Sequence, residues 1–66
     1  MSLTKDQKIE KAYNIALGMG ITADTKMSFL AMRKICHSEV DVAIFLACND
    51  DDARWIIINE NLPMEN

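Results

Sequence analysis

Apolar residues recur at helical spacing in several stretches of the chain, separated by polar or glycine-bearing breaks. In the first stretch Ile9, Ala12, Tyr13, Ala16 and Met19 fall on one stripe, with lysine and glutamate across from it. Ahead of it, Thr4-Lys5-Asp6-Gln7 has the spacing of a capping box, in which the Thr hydroxyl and the Gln amide each accept from a free backbone N–H. Gly18 and Gly20 close this helix, with Gly20 placed as the left-handed residue that terminates it. A second helix is expected from a cap at Thr22 or Asp24, through Met27, Phe29, Leu30, Ala31, Met32 and Ile35, to about Cys36. Its apolar residues wrap more than one face. It is therefore expected to be the most buried of the set, packed on two neighbours, with Lys26, Arg33 and Lys34 on the side left to water.

Ser38-Glu39-Val40-Asp41 marks a third start, with acids where the positive end of the helix dipole favours them. Val40, Ala43, Ile44 and Ala47 form the expected stripe, widened by Phe45 and Leu46. Asn49 is read as closing this helix and capping a fourth, which begins on Asp50, Asp51 and Asp52 and carries Ala53, Trp55, Ile56, Ile57 and Ile58. The consecutive isoleucines favour strand by propensity, but no second such run exists to pair with them. Asn59-Glu60-Asn61 and Pro63 then read as a helix stop, with Trp55 mostly buried and Pro63 to Asn66 a frayed tail. The pattern predicts one all-α domain over residues 1–66, a compact bundle of four short helices.

Composition adds one point to this picture. In a chain of 66 residues, 50% of them hydrophobic, there is more apolar surface than so small a core can enclose, and the surplus is expected at an interface with a partner or a second copy. The net charge of −3 is unevenly spread. Lys5, Lys8, Lys11, Lys26, Arg33 and Lys34 lie before Ser38, whereas after it Arg54 stands alone against Glu39, Asp41, Asp50, Asp51, Asp52, Glu60 and Glu65. The C-terminal half would repel a phosphate backbone, so a nucleic-acid-binding reading rests on the N-terminal lysines and arginine. No run approaches the roughly 20 apolar residues of a membrane span, and Met1 to Lys11 lacks the apolar stretch of a signal peptide. A cytoplasmic protein with no membrane partner is expected.

Little in the sequence suggests chemistry. His37 is the single histidine, and its neighbour Cys36 would point about 100° away on a helix, which does not make a nucleophile–base pair. Cys36 and Cys48 have no second pair for a zinc site or a disulfide framework, and are expected to be free, buried thiols. Asn49 to Asp52 lacks the alternating ligands and the glycine of a calcium loop. The expectation is a protein that is not an enzyme, with no cofactor and no metal.

With the helices placed, Met19-Gly20-Ile21 at the end of the first resembles the Met-Gly-Phe/Tyr loop of ubiquitin-associated (UBA) domains, which are three-helix folds. Two registers continue the resemblance. In one, Phe29-Leu30 is similar to the second-helix pair and Glu39 to Ile44 to the start of the third helix. In the other, Ala47 to Ile57 resembles the third-helix junction, leaving an extra helix between. The resemblance implies a UBA-like three-helix core plus one extra helix. It also implies binding of ubiquitin or a ubiquitin-like protein through Met19, Gly20 and Ile21, with Ile57 at the end of the last family-like helix. A protein-interaction module is thus the expected function. The alternatives are a small regulatory or inhibitory protein of viral or mobile-element type, acting by masking a host protein or by self-association as a homo-oligomer, and a nucleic-acid-binding helical domain.

Overall fold

The computed structural model describes residues 2–64, and these form four helices: α1 (Lys5–Gly18), α2 (Lys26–Cys36), α3 (Glu39–Ala47) and α4 (Asp51–Glu60). The all-α bundle expected from the pattern is the fold observed.

The start of α1 is the expected capping box. The Gln7 N–H donates to Thr4 Oγ1 at 3.1 Å and the Thr4 N–H donates to Gln7 Oε1 at 2.8 Å, satisfying two backbone donors that the first turn leaves free. Its end is a complete Schellman motif. The Gly20 N–H donates to the Leu17 carbonyl and the Ile21 N–H to the Ala16 carbonyl, both at 3.0 Å, while Gly20 takes φ 88°. The apolar contact that usually accompanies this motif falls here between Ala16 and Ile21, both buried.

The cap of α2 differs from expectation. Neither Thr22 nor Asp24 caps it. The N-cap is Thr25, whose hydroxyl turns back to donate to the Thr22 carbonyl at 2.8 Å and to accept from the Thr22 N–H at 2.9 Å. The side-chain oxygen that would have capped the helix instead closes the preceding turn, and the helix starts at Lys26. α2 supplies three buried residues, Ala31, Met32 and Ile35, the most of any helix. It packs on α1, α3 and α4, one neighbour more than expected.

Only His37 and Ser38 separate α2 from α3, and the Ser38 hydroxyl accepts from the Asp41 N–H at 3.3 Å as the expected cap. α3 faces the opposite way from the expected stripe. Val42 and Phe45 are buried and Leu46 half-buried, while Val40, Ala43, Ile44 and Ala47 are all exposed. The reason is that the helix is apolar nearly all round, so periodicity selects no direction and size does. Burying a phenylalanine stabilises by about 1.5–3 kcal/mol, more than a stripe half made of alanine recovers per position.

Asn49 plays neither of its expected roles. Cys48 ends α3, and Asp50 caps α4 by accepting from the Ala53 N–H at 2.8 Å. Arg54 ties the two helices together. Its Nη2 donates to the Cys48 carbonyl at 3.0 Å and its Nη1 pairs with Asp51 at 2.7 Å, with the side chain 18% exposed. A cation at the C-terminal end of α3 also meets the negative end of its dipole. The isoleucine run is helical, and Ile58 rather than Trp55 is the fully buried residue of α4; Trp55 is only half-buried at the margin of the core. Of the expected tail, Pro63 and Met64 carry no regular structure, and Glu65 and Asn66 lie outside the described residues.

Candidate functional site

Three surfaces bear on function, and the first is the turn after α1. Met19 is half-buried against the core, Gly20 is exposed, and Ile21 keeps only 4% of its surface. The three residues share one turn, as their adjacency requires, but Ile21 is fastened inward by the Schellman contact. Ile57 is half-buried on α4, a helix that packs chiefly on α2. The turn therefore offers a partner the Gly20 backbone and part of Met19.

The second surface is the outer face of α3. Val40 is 68% and Ile44 49% exposed, with Ala43 and Ala47 beside them, so the solvent side of this helix carries no polar side chain between the flanking Glu39 and Asp41. The residues follow an i, i+3, i+4, i+7 pattern, and their Cβ groups form a continuous strip. These are the residues the pattern assigned to the core. Other exposed apolar side chains include Leu17, Met27, Leu30 and Ile56 on the other helices and Leu3 and Met64 outside them.

The third is a groove between the first turns of α1 and the junction of α2 with α3. It consists of two adjoining hollows of about 220 and 270 Å³ that share Lys5, Ile9 and Cys36. Lys8, Glu39 and Val42 complete the first, and Tyr13, Arg33 and His37 the second. Lys5 and Glu39 approach to 3.9 Å across the mouth, both well exposed. Of the cations weighed as a nucleic-acid surface, Lys5, Lys8 and Arg33 meet at this groove, whereas Lys11, Lys26 and Lys34 do not line it.

Tyr13 and Cys36 form the polar part of the groove wall. Burial raises the Cys36 thiol above its ordinary value, opposed by the nearby Tyr13 hydroxyl. Burial also raises Tyr13, reinforced by Cys36 and opposed by the positive charge of Arg33. Both groups are therefore protonated near neutrality. Reactive cysteines have the opposite character, an acidified thiol held as thiolate by nearby positive charge. Cys36 and Cys48 are free and half-buried, less enclosed than expected. Among the described residues no three His, Cys, Asp or Glu side chains are grouped to hold a metal ion.

The groove was missed in the sequence, although one signal was present. Lys5, Lys8 and Ile9 on α1, and Arg33, Cys36 and His37 at the end of α2, each have i, i+3, i+4 spacing, which places a triplet on one helix face.

No family model, curated protein or solved structure matches the chain.

Proposed function

We propose that this protein is a non-catalytic interaction domain that binds another protein through the outer face of α3. The observation that carries the proposal is the exposure of Val40, Ala43, Ile44 and Ala47 together on a helix whose opposite side already fills the core. A contiguous apolar patch on a domain surface is often its functional one.

The size of the strip sets the kind of binding. A nine-residue helix is about 13.5 Å long and presents a face about 10 Å across, a few hundred Å² of accessible surface at most. A stable interface takes about 800 Å² from each partner. The face alone thus supports a weak, reversible contact with a small apolar patch. That is the kind of encounter the UBA resemblance implies, and ubiquitin or a ubiquitin-like protein is the sharpest form of the proposal. The raised thiol of Cys36 supports the non-catalytic part of the reading.

The test uses a variant that removes the face without harming the helix. Val40→Glu places an acid in the first turn of α3 and Ile44→Lys a base in the last, an arrangement the dipole and the i, i+4 pairing both favour. Ubiquitin is titrated into the isotope-labelled parent and double variant, with amide resonances read by NMR. Proteins retained by each from the same lysate are compared, and sedimentation of the parent is followed against concentration. Binding by the parent, lost in the variant, supports the proposal. Equal retention of the same partners by both would dismiss the α3 face. Concentration-dependent growth of the parent alone would replace the foreign partner with a second copy.

A further inference from the structure

The groove between α1 and the α2–α3 junction plays no part in the reading above. Three basic side chains, Lys5, Lys8 and Arg33, line it with a single carboxylate, Glu39, and with His37. This positive site sits in a chain of net charge −3, so the rest of the molecule is strongly acidic. Ile9 lines both hollows and Val42 the first, giving the wall an apolar part beside Tyr13 and Cys36. The Lys5–Glu39 pair at 3.9 Å joins two exposed side chains, a contact that water and salt screen strongly. A carboxylate from a ligand can take the place of Glu39 on Lys5 at little cost.

We infer that this groove binds an acidic peptide segment, seating one apolar side chain on Ile9 while carboxylates to either side pair with Lys5, Lys8 and Arg33. An extended peptide advances about 3.3 Å per residue, so alternate side chains stand close to 7 Å apart. That spacing sets carboxylates on both sides of a single central anchor, which suits a groove lined by cations from both α1 and α2 with Ile9 in its wall. The combination is two-part: charge draws the segment in, and the apolar wall selects among acidic segments.

Nucleic acid fits the same cations less well. A polyphosphate running beyond the groove meets the acidic remainder of the chain. Single strands also bind by stacking bases on open aromatic faces. The aromatic ring at this groove, Tyr13, is packed on Phe29 with centroids 6.2 Å apart.

The experiment takes the full chain, isotope-labelled, at low ionic strength. The probes are four blocked hexapeptides, Glu-Asp-X-Glu-Asp-Glu with X as Leu, Ile, Met or Phe, compared with the same peptide bearing Gly at X and with a thymidine hexanucleotide. At least one of the four is expected to shift the amides of Lys8, Ile9, Cys36 and His37, and to bind several times more tightly than the Gly peptide or the oligonucleotide. Lys5→Glu with Lys8→Glu should weaken that binding by about tenfold or more. Lys11→Glu with Lys26→Glu, which changes the net charge equally but lies off the groove, should leave it within about twofold. The variant at Val40 and Ile44 should also bind the peptide normally, which keeps this inference separate from the one above. The inference is overturned if none of the four perturbs the groove, if the Gly peptide or the oligonucleotide binds as tightly, or if the two lysine pairs weaken binding equally.

Discussion

Replacing Val40 and Ile44 together by Glu and Lys should leave the domain nearly as stable as the parent, although it puts two charges where the periodic pattern expected core. The losses follow from exposure. Complete burial of such a side chain is worth about 1.5–3 kcal/mol. Val40 is 68% exposed and Ile44 49%, so about a third of that is forfeited at one site and half at the other. The lysine stem recovers part of the second loss by lying along the helix surface. Against this stand a Glu–Lys pair at i, i+4, worth about 0.2–0.5 kcal/mol, and favourable placement of each charge in the helix dipole, about 0.3–1 kcal/mol apiece. The sum lies within about 1 kcal/mol of zero. Phe45→Ala should behave oppositely. It empties a fully buried site at a cost of about 3–5 kcal/mol, in a domain of this length whose whole stability is about 3–10 kcal/mol. Each kcal/mol moves the melting temperature of a domain this size by about 4–8 °C. The double variant should thus melt within about 8 °C of the parent, and the Phe45 variant at least 12 °C lower or not fold. Thermal and urea melts followed by far-UV circular dichroism give both values. A double variant that unfolds beside a stable Phe45→Ala would show that α3 buries the Val40–Ile44 face, and would remove the surface on which the proposed function rests.

Gly20→Ala should cost about 1–2 kcal/mol by the same melts, since a Cβ there meets no atom within 4 Å and the expense is the left-handed backbone alone; no loss would mean that the φ of 88° is not held in solution. Ile58→Ala should destabilise by about 2–5 kcal/mol and Trp55→Ala by less, because Ile58 is fully buried and Trp55 half so; the reverse order in urea melts would contradict the placement of α4. Met19→Glu should weaken the fold by an intermediate amount, about 1–3 kcal/mol, as its side chain is half-buried; a variant as stable as the parent that loses partner binding would make Met19 a contact residue after all. Stability should be steady through neutral pH and fall as the pH rises past the ordinary thiol value of about 8.5. Cys36 and Tyr13 titrate higher when folded than when unfolded, so the folded state holds their protons longer and loses ground once the unfolded chain ionises. Melts across the alkaline range should show this slope reduced in Cys36→Ala, and an unchanged slope would assign it elsewhere.

The parts of this fold that were legible in the sequence are those fixed by neighbours in the chain. Thr4 and Gln7 cap α1 because three residues separate them, and Gly20 ends it because a left-handed residue is needed there. The parts that were not legible depend on competition or on distant packing. The cap of α2 was expected at Thr22 or Asp24, but Thr25 takes that position while its hydroxyl bonds back to Thr22. α3 reads Glu-Val-Asp-Val-Ala-Ile-Phe-Leu-Ala, apolar on both sides, so that periodicity selects neither and the burial of the large Phe45 against α1 and α2 decides between them. The groove has the same origin: its two triplets are visible on their helices, but nothing in the chain says that they face each other.

What makes the outer face of α3 usable, despite its small area, is how firmly it is held. Ser38 caps one end of the helix, and Arg54 grips the Cys48 carbonyl at the other. Phe45 and Val42 fix its rotation from beneath. The face itself is built of valine, isoleucine and alanine, side chains that are stiff or have no rotamers to lose. Association normally forfeits about 0.5–1.5 kcal/mol for each flexible side chain that it orders, and loops that must settle cost more. A strip of β-branched residues and alanines on a helix capped at both ends avoids most of that expense. Nearly all the apolar area that a partner covers then counts toward affinity, and a contact too small for a permanent complex still suffices for a transient one.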